Sequence, residues 1–277
     1  MFTVTVPGVF KLLSKPNPKK STGPDELSPL VLKKSASDIS VVLTFIYNQS
    51  LSSGTVPADW RMANIFALHK KGPKDLAENY RPISLTSVCC KTLEHIVYSN
   101  ICKFFDISNI LTPKQRGFRP GFSCETQLIL SIDDWARSLA SCFRTDVVIF
   151  DFSKAFDSIP HTRLLGKLHY FGICGQMLTW FSSSLLSRYQ RVVNGSQSSW
   201  SDVISGVLQG TVLGPLLVIE PILVVNLVRA RSSWLRLCTE PPADRSPNRR
   251  RIVSMRRSTH TWPTKLCREA WGRKIAD

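Results

Sequence analysis

Apolar residues recur at three- and four-residue intervals through Leu27, Leu30, Val31, Ile39, Val42, Leu43 and Ile46, the spacing of one or two amphipathic helices reaching about residue 50. Ser53-Gly54-Thr55-Val56-Pro57 interrupts that pattern, and Ala63 to Leu68 then reads as a short strand ending in His69-Lys70-Lys71-Gly72. Helical spacing predicts further helices over about Ser87–Phe105 and Thr126–Leu139. Val147-Val148-Ile149-Phe150 is an unbroken apolar run with β-branched residues, the mark of a strand buried on both faces, and it delivers Asp151 at its end. Leu164–Leu168 and Met177–Leu186 predict two more helices, and Gln190–Val193 followed by Gly195 a strand and turn. Helices and strands alternate without the regular repeat of a doubly wound sheet, so the predicted class is α+β.

At 277 residues the chain allows one large or two modest domains. With 43% apolar and 20% charged residues it is neither largely disordered, collagen-like nor a coiled coil. The charge changes the picture more. A net +16 and a pI near 9.8 point to a polyanionic partner such as nucleic acid or an acidic membrane surface. Residues 229–277 hold 13 Lys/Arg against 4 Asp/Glu, while residues 1–228 hold 23 against 16, so more than half the excess sits in the tail. Three segments are expected: a basic, extended stretch over 1–20, where Ser14-Lys15-Pro16-Asn17-Pro18-Lys19-Lys20 cannot continue a helix; a globular body over 21–218; and a basic, disordered tail over 219–277 with Arg249-Arg250-Arg251 and Arg256-Arg257.

Eight irregularly spaced cysteines, with no basic and apolar leader at the start, read as reduced thiols of an intracellular protein, nuclear or cytoplasmic. Adjacent Cys89 and Cys90 cannot clip a zinc ion as a C-x-x-C pair does. The longest apolar stretch, Leu213–Val228, is broken by Gly214-Pro215 and Glu220-Pro221 and falls short of the roughly 18 clean residues of a membrane span. No membrane partner is expected.

Asp151 is the first candidate for chemistry. A carboxylate at the exit of a buried strand is fixed in place and open to solvent, as a metal-binding acid needs to be; the same pattern also fits a helix N-cap or turn former. Its surroundings, Val147 to His161 reading VVIFDFSKAFDSIPH, resemble motif A of the reverse transcriptases of non-LTR retrotransposons of the jockey-like kind. Upstream, Ser21-Thr22-Gly23-Pro24-Asp25, Asp59-Trp60-Arg61, Asn79-Tyr80-Arg81-Pro82-Ile83-Ser84-Leu85 and Gln115-Arg116-Gly117-Phe118-Arg119 resemble that family's fingers region in order. Downstream, Leu185–Asn194 and Ser205-Gly206-Val207-Leu208-Gln209-Gly210 through Leu217 resemble the family's motif B. The likeness runs from about residue 15 to 218.

The resemblance implies a right-hand polymerase with fingers and a partial palm, joining deoxynucleotides to a DNA primer on an RNA template with magnesium. It makes Asp151 a metal ligand assisted by the Phe152 carbonyl, and Asp157 a structural acid. Phe156 would lie under the nucleotide sugar and clash with a 2′ hydroxyl; plain core packing is the other reading of a Phe. Gly206 and Gly210 would let backbone approach the nucleotide, with Gln209 hydrogen-bonding near its base or sugar. Leu208 replaces the proline usual in that loop. Lys70 and Arg81 would contact the triphosphate, although a solvated face also suits Lys70. Arg116 and Arg119, flanking Gly117-Phe118, would suit the template strand.

The family's later aromatic-x-Asp-Asp turn has no counterpart. Asp133-Asp134 is the only Asp-Asp pair; it precedes Asp151 in a helical pattern, and Asp244 is a lone acid among arginines. The palm sheet is then incomplete, the thumb is missing, and the second metal site lacks ligands. Loss of about 4 kcal/mol of transition-state stabilisation would slow the reaction roughly a thousandfold. The sequence therefore reads as a reverse transcriptase fragment truncated after motif B and inactive, with a tail from a frameshift or misjoined exon. A non-catalytic RNA-binding remnant and an unstable pseudogene product are the alternatives.

Overall fold

A computed structural model describes residues 2–111, 115–119, 121–141 and 155–218. Helix α1 spans Val6–Leu13, within the stretch expected to be extended. Pro7 sits in its first turn, where no backbone donor is needed, while Val9 and Leu13 are fully buried. The prolines at 16 and 18 act only after this helix, so burial of that apolar pair decides the conformation of the preceding turn. Helix α2 covers Pro29–Lys34, started by the Ser28 hydroxyl, which accepts from the Leu30 N–H at 3.2 Å.

Helix α3 runs Ala36–Ser53 and stops at Gly54. There φ is +69°, and a Cβ would lie 2.9 Å from Gln176 Oε1 and 3.0 Å from Thr179, so only glycine permits both the left-handed cap and close packing. Helix α4, Val88–Ile107, begins at Ser87, whose hydroxyl accepts from the Cys90 N–H at 3.3 Å. Helix α5, Cys124–Ala140, opens with a reciprocal Ser123–Thr126 capping box. It buries no residue, and its Leu128, Ile129, Ile132 and Leu139 are exposed. Helices α6 (His161–Tyr170) and α7 (Gly175–Leu185) follow. Residues 213–218 form a further helical turn.

One core joins the described helices other than α5. Tyr47, Leu51, Leu93, Val97, Trp180 and Phe181 meet there, and the polar tips of the large rings are satisfied. Tyr47 donates its hydroxyl to the Cys89 carbonyl at 2.7 Å, and the Trp180 indole donates to Ser50 Oγ at 3.0 Å. These bonds pin α3 to both α4 and α7, at the cost of no unpaired group.

Among the described residues four strands make a small mixed sheet in the order β2-β1-β3-β4, where β1 is Met62–His69, β2 Tyr80–Leu85, β3 Tyr189–Val192 and β4 Ser201–Asp202. β1 runs antiparallel to β2 and parallel to β3. One sheet face packs Ala63, Ile65 and Val192 against Leu208. The mixed helices and strands agree with the predicted α+β class. The expected strand Val147–Phe150 and the tail from residue 219 lie outside the described residues. No described helix is long and apolar enough to cross a membrane.

Candidate active site

Antiparallel pairing of β1 with β2 sets Leu68 opposite Arg81, and Lys70 donates its backbone N–H to Asn79 at 2.8 Å. Lys70 and Arg81 therefore stand on one exposed hairpin. Three residues past Arg81, the Ser84 N–H donates to the Gln209 carbonyl at 2.8 Å, which fastens the loop 205–210 to that hairpin.

The same loop is clamped on its other side to residues 156–161. Gly206 donates to the Ile159 carbonyl at 2.8 Å, Val207 to the Phe156 carbonyl at 2.7 Å, and the Ser205 hydroxyl to the Asp157 carbonyl at 3.0 Å. Gly206 has φ +76°, and a Cβ there would lie 2.4 Å from the Phe156 carbonyl oxygen. Its lack of a side chain thus serves contact with the 156–157 backbone. Gly206 is buried, whereas Gly210 is exposed on the hairpin side. The Gln209 carboxamide donates to both Asp157 oxygens, at 3.1 and 3.3 Å. With Nε2 so engaged, Oε1 is the end of this side chain suited to accept from a ligand.

His161 Nε2 lies 2.8 Å from the Gly206 carbonyl. A carbonyl can only accept, so this nitrogen carries the proton. Burial lowers the His161 pKa, the carbonyl bond partly opposing it and the Arg188 charge adding to it. Beneath the loop, Glu94 is only 3% exposed. Its Oε2 accepts from the Val212 N–H at 2.7 Å, at the entry to the 213–218 turn, and Oε1 faces the Arg188 guanidinium at 3.9 Å. Arg188 in turn donates Nε to the Ser184 carbonyl. A buried acid thus meets the positive end of a helical turn and a buried cation together.

Phe156 packs partly buried against the core, and its ring meets the Phe118 ring edge-on at 6.4 Å. The Arg116 and Arg119 guanidinium groups lie 4.9 and 5.3 Å from the centre of the Phe122 ring. Arg119 also pairs with Asp106 at 3.3 Å, which ties this loop to α4.

Contacts therefore run unbroken from Lys70 and Arg81 through Gln209 and Asp157 to Phe156 and Phe118, beside Arg116 and Arg119. Asp151 and Phe152 lie outside the described residues. Among the described residues no cluster of three His, Cys, Asp or Glu side chains could hold a metal ion, and the Asp157 carboxylate is taken up by Gln209, so these residues by themselves do not fit a magnesium site. Asp133 pairs with Arg137 along α5 at 2.8 Å, as suits a helical surface. Burial pushes the Cys89 thiol up to about 11, and Cys90 rises further for the same reason, which disfavours thiolate chemistry at this pair.

Sequence reading missed Glu94, Arg188 and His161. Glu94 did leave a signal: it falls within the apolar stripe Cys90, Leu93, Val97, Ile101 of α4, where an acid needs a partner.

The hairpin, the glycine-bearing loop and the clamped segment form one hydrogen-bonded unit. The sequence model of the family described as reverse transcriptase (RNA-dependent DNA polymerase) matches residues 68–224, and the chain belongs to that family. Its relatives are polymerases of non-LTR retrotransposons. The chain is 32% identical over 206 residues to the probable RNA-directed DNA polymerase from transposon BS of Drosophila melanogaster, covering 72% of this chain and 22% of the relative. It is 30% identical over 217 residues to the RNA-directed DNA polymerase from mobile element jockey of the same species, covering 77% and 24%. To the probable polymerase from transposon X-element it is 26% identical over 216 residues, covering 76% and 23%. The matched region thus spans about a quarter of these relatives.

Proposed function

We propose that residues 21–218 are the fingers and part of the palm of a domain that binds an RNA template, a DNA primer and a deoxynucleoside triphosphate for nucleotidyl transfer. One observation carries this reading: the loop 205–210 is hydrogen-bonded at once to the Lys70–Arg81 hairpin and to the segment following Asp151. In this reading Lys70 and Arg81 neutralise triphosphate oxygens. Phe156 lies under the sugar, Gln209 accepts from the nucleotide through Oε1, Gly210 leaves room for it, and Gly206 shapes the loop from beneath. Arg116 and Arg119 hold template phosphates. Asp151, with the Phe152 carbonyl, is the group that would hold magnesium, whose chemistry is to activate the primer hydroxyl and stabilise the leaving pyrophosphate.

Within these 277 residues no aromatic-x-Asp-Asp segment follows motif B. The proposal is therefore binding without efficient transfer by this chain. Primer extension with magnesium, comparing the parent with Asp151→Ala, tests it. Extension by neither fits the reading; extension by the parent alone overturns the inactivity; extension by both overturns the role of Asp151. Finding no aromatic-x-Asp-Asp codons in the other two frames past Val218 would refute a frameshift origin of the tail.

The tail charge, net +9 from 13 cations and 4 acids over residues 229–277, favours a second reading in which the chain serves as an RNA-binding remnant. Deleting residues 219–277 should then flatten the log-log salt dependence of RNA binding. An unchanged slope refutes it.

A further inference from the structure

Phe118 is exposed by 60%, yet its backbone takes φ +58°, a left-handed conformation that a bulky residue adopts only under outside constraint. The constraint is visible. Tyr98 donates its hydroxyl to the Phe118 carbonyl at 3.1 Å, and burial pushes the Tyr98 pKa up to about 12, so this donor keeps its proton. On either side, Gln115 Nε2 donates to the Gly117 carbonyl at 3.1 Å, and Arg119 bonds the Gln115 carbonyl at 3.4 Å while pairing with Asp106. These bonds tie the Phe118 backbone to α4 and leave its side chain largely exposed. The loop sets the ring edge-on against Phe156, with centroids 6.4 Å apart and planes at 69°.

The arrangement has a consequence for Phe156. Its backbone is fixed by the Val207 N–H, but a Phe ring still pivots about χ1 and χ2, and a pivoted ring would no longer block a 2′ hydroxyl. A neighbouring ring carried on a loop bonded to α4 restricts that freedom. We propose that Phe118 is a positioning residue for sugar selection: it braces the Phe156 ring so that deoxyribonucleotides are preferred over ribonucleotides. This rests on the reading of Phe156 as the sugar-facing residue.

The test is calorimetric titration of the full chain, loaded with an RNA template and DNA primer, with dATP and with ATP in the presence of magnesium. The two ligands differ only at the 2′ position, so the ratio of their dissociation constants reports the gate, while a general loss of folding or affinity moves both together. Phe118→Ala should lower the parent's preference for dATP by a factor of about 2 to 10, the range an edge-to-face ring contact supplies. Phe118→Tyr should restore it, and Phe118→Ala should have no further effect on the ratio in a Phe156→Ala background.

A ratio untouched by Phe118→Ala but abolished by Phe156→Ala overturns the brace and leaves the gate standing. Equal effects of Phe118→Ala in both backgrounds also overturn it. A ratio that Phe156→Ala leaves unchanged, or a parent that binds neither nucleotide or both alike, overturns the gate and the brace together.

Discussion

Gly206→Ala is the sharpest test of how the loop 205–210 is held. The added methyl would lie 2.4 Å from the Phe156 carbonyl oxygen and 2.6 Å from Asp157 backbone atoms, none of which is the yielding end of a side chain. Holding alanine at φ +76° costs about 1–2 kcal/mol before any clash. Relief of the clash requires the loop to withdraw, which stretches the bonds from Gly206 to Ile159 and from Val207 to Phe156, and the bond between His161 and the Gly206 carbonyl. At about 1 kcal/mol net for each bond, losing two or three brings the total to about 3–5 kcal/mol. In a domain of this size that lowers the melting temperature by about 10 °C. Gly166→Ala is the control: it lies within α6, and a Cβ there meets nothing within 4 Å, so it should stabilise by up to about 1 kcal/mol through helix propensity. Thermal unfolding followed by circular dichroism measures both. If Gly206→Ala melts within about 2 °C of the parent, the clamp between the loop and residues 156–161 does not exist as described.

Three further outcomes follow from the same geometry. Glu94→Ala strands buried Arg188 and the Val212 N–H, and should destabilise the fold by about 3–5 kcal/mol in urea titration; adding Arg188→Met should recover part of the loss, and no recovery would count against the pairing. Asp157→Ala and Gln209→Ala, with the double variant, should show a coupling of about 1–2 kcal/mol from their charge-assisted bonds, and strict additivity would remove Asp157 as the anchor of Gln209. The folded state holds the His161 pKa below its ordinary value of 6.5, so the unfolded chain binds the proton first as pH falls. The contribution of His161 is therefore complete above about 6.5 and is lost as pH drops toward and through the folded pKa. Denaturant midpoints measured from pH 7.5 downward should fall less steeply for His161→Gln, and parallel curves would refute this assignment.

Periodicity and turn chemistry were legible along the chain because they depend on near neighbours. The helices over 88–107 and 124–140 and the strand over 62–69 lie close to where apolar spacing predicts them. Ordered motifs likewise carried family membership, since short segments in a fixed order survive without any knowledge of packing. Helix α1 was not legible because the lysine-proline run after residue 14 is a local signal, whereas the burial of Val9 and Leu13 against other helices is invisible locally.

What the amino-acid order determined by itself, then, was the alternation of elements, the polymerase family and the residue types available for binding. Only the tertiary structure decided their employment. It set Gly206 against the 156–157 backbone, and it gave the Gln209 amide to Asp157, 52 positions away. It also matched Glu94 with Arg188 and the Val212 N–H across the chain. Each of these is a pairing between groups far apart in sequence. A hydrogen bond or buried ion pair depends on where both partners end up, and one-dimensional spacing does not encode that distance.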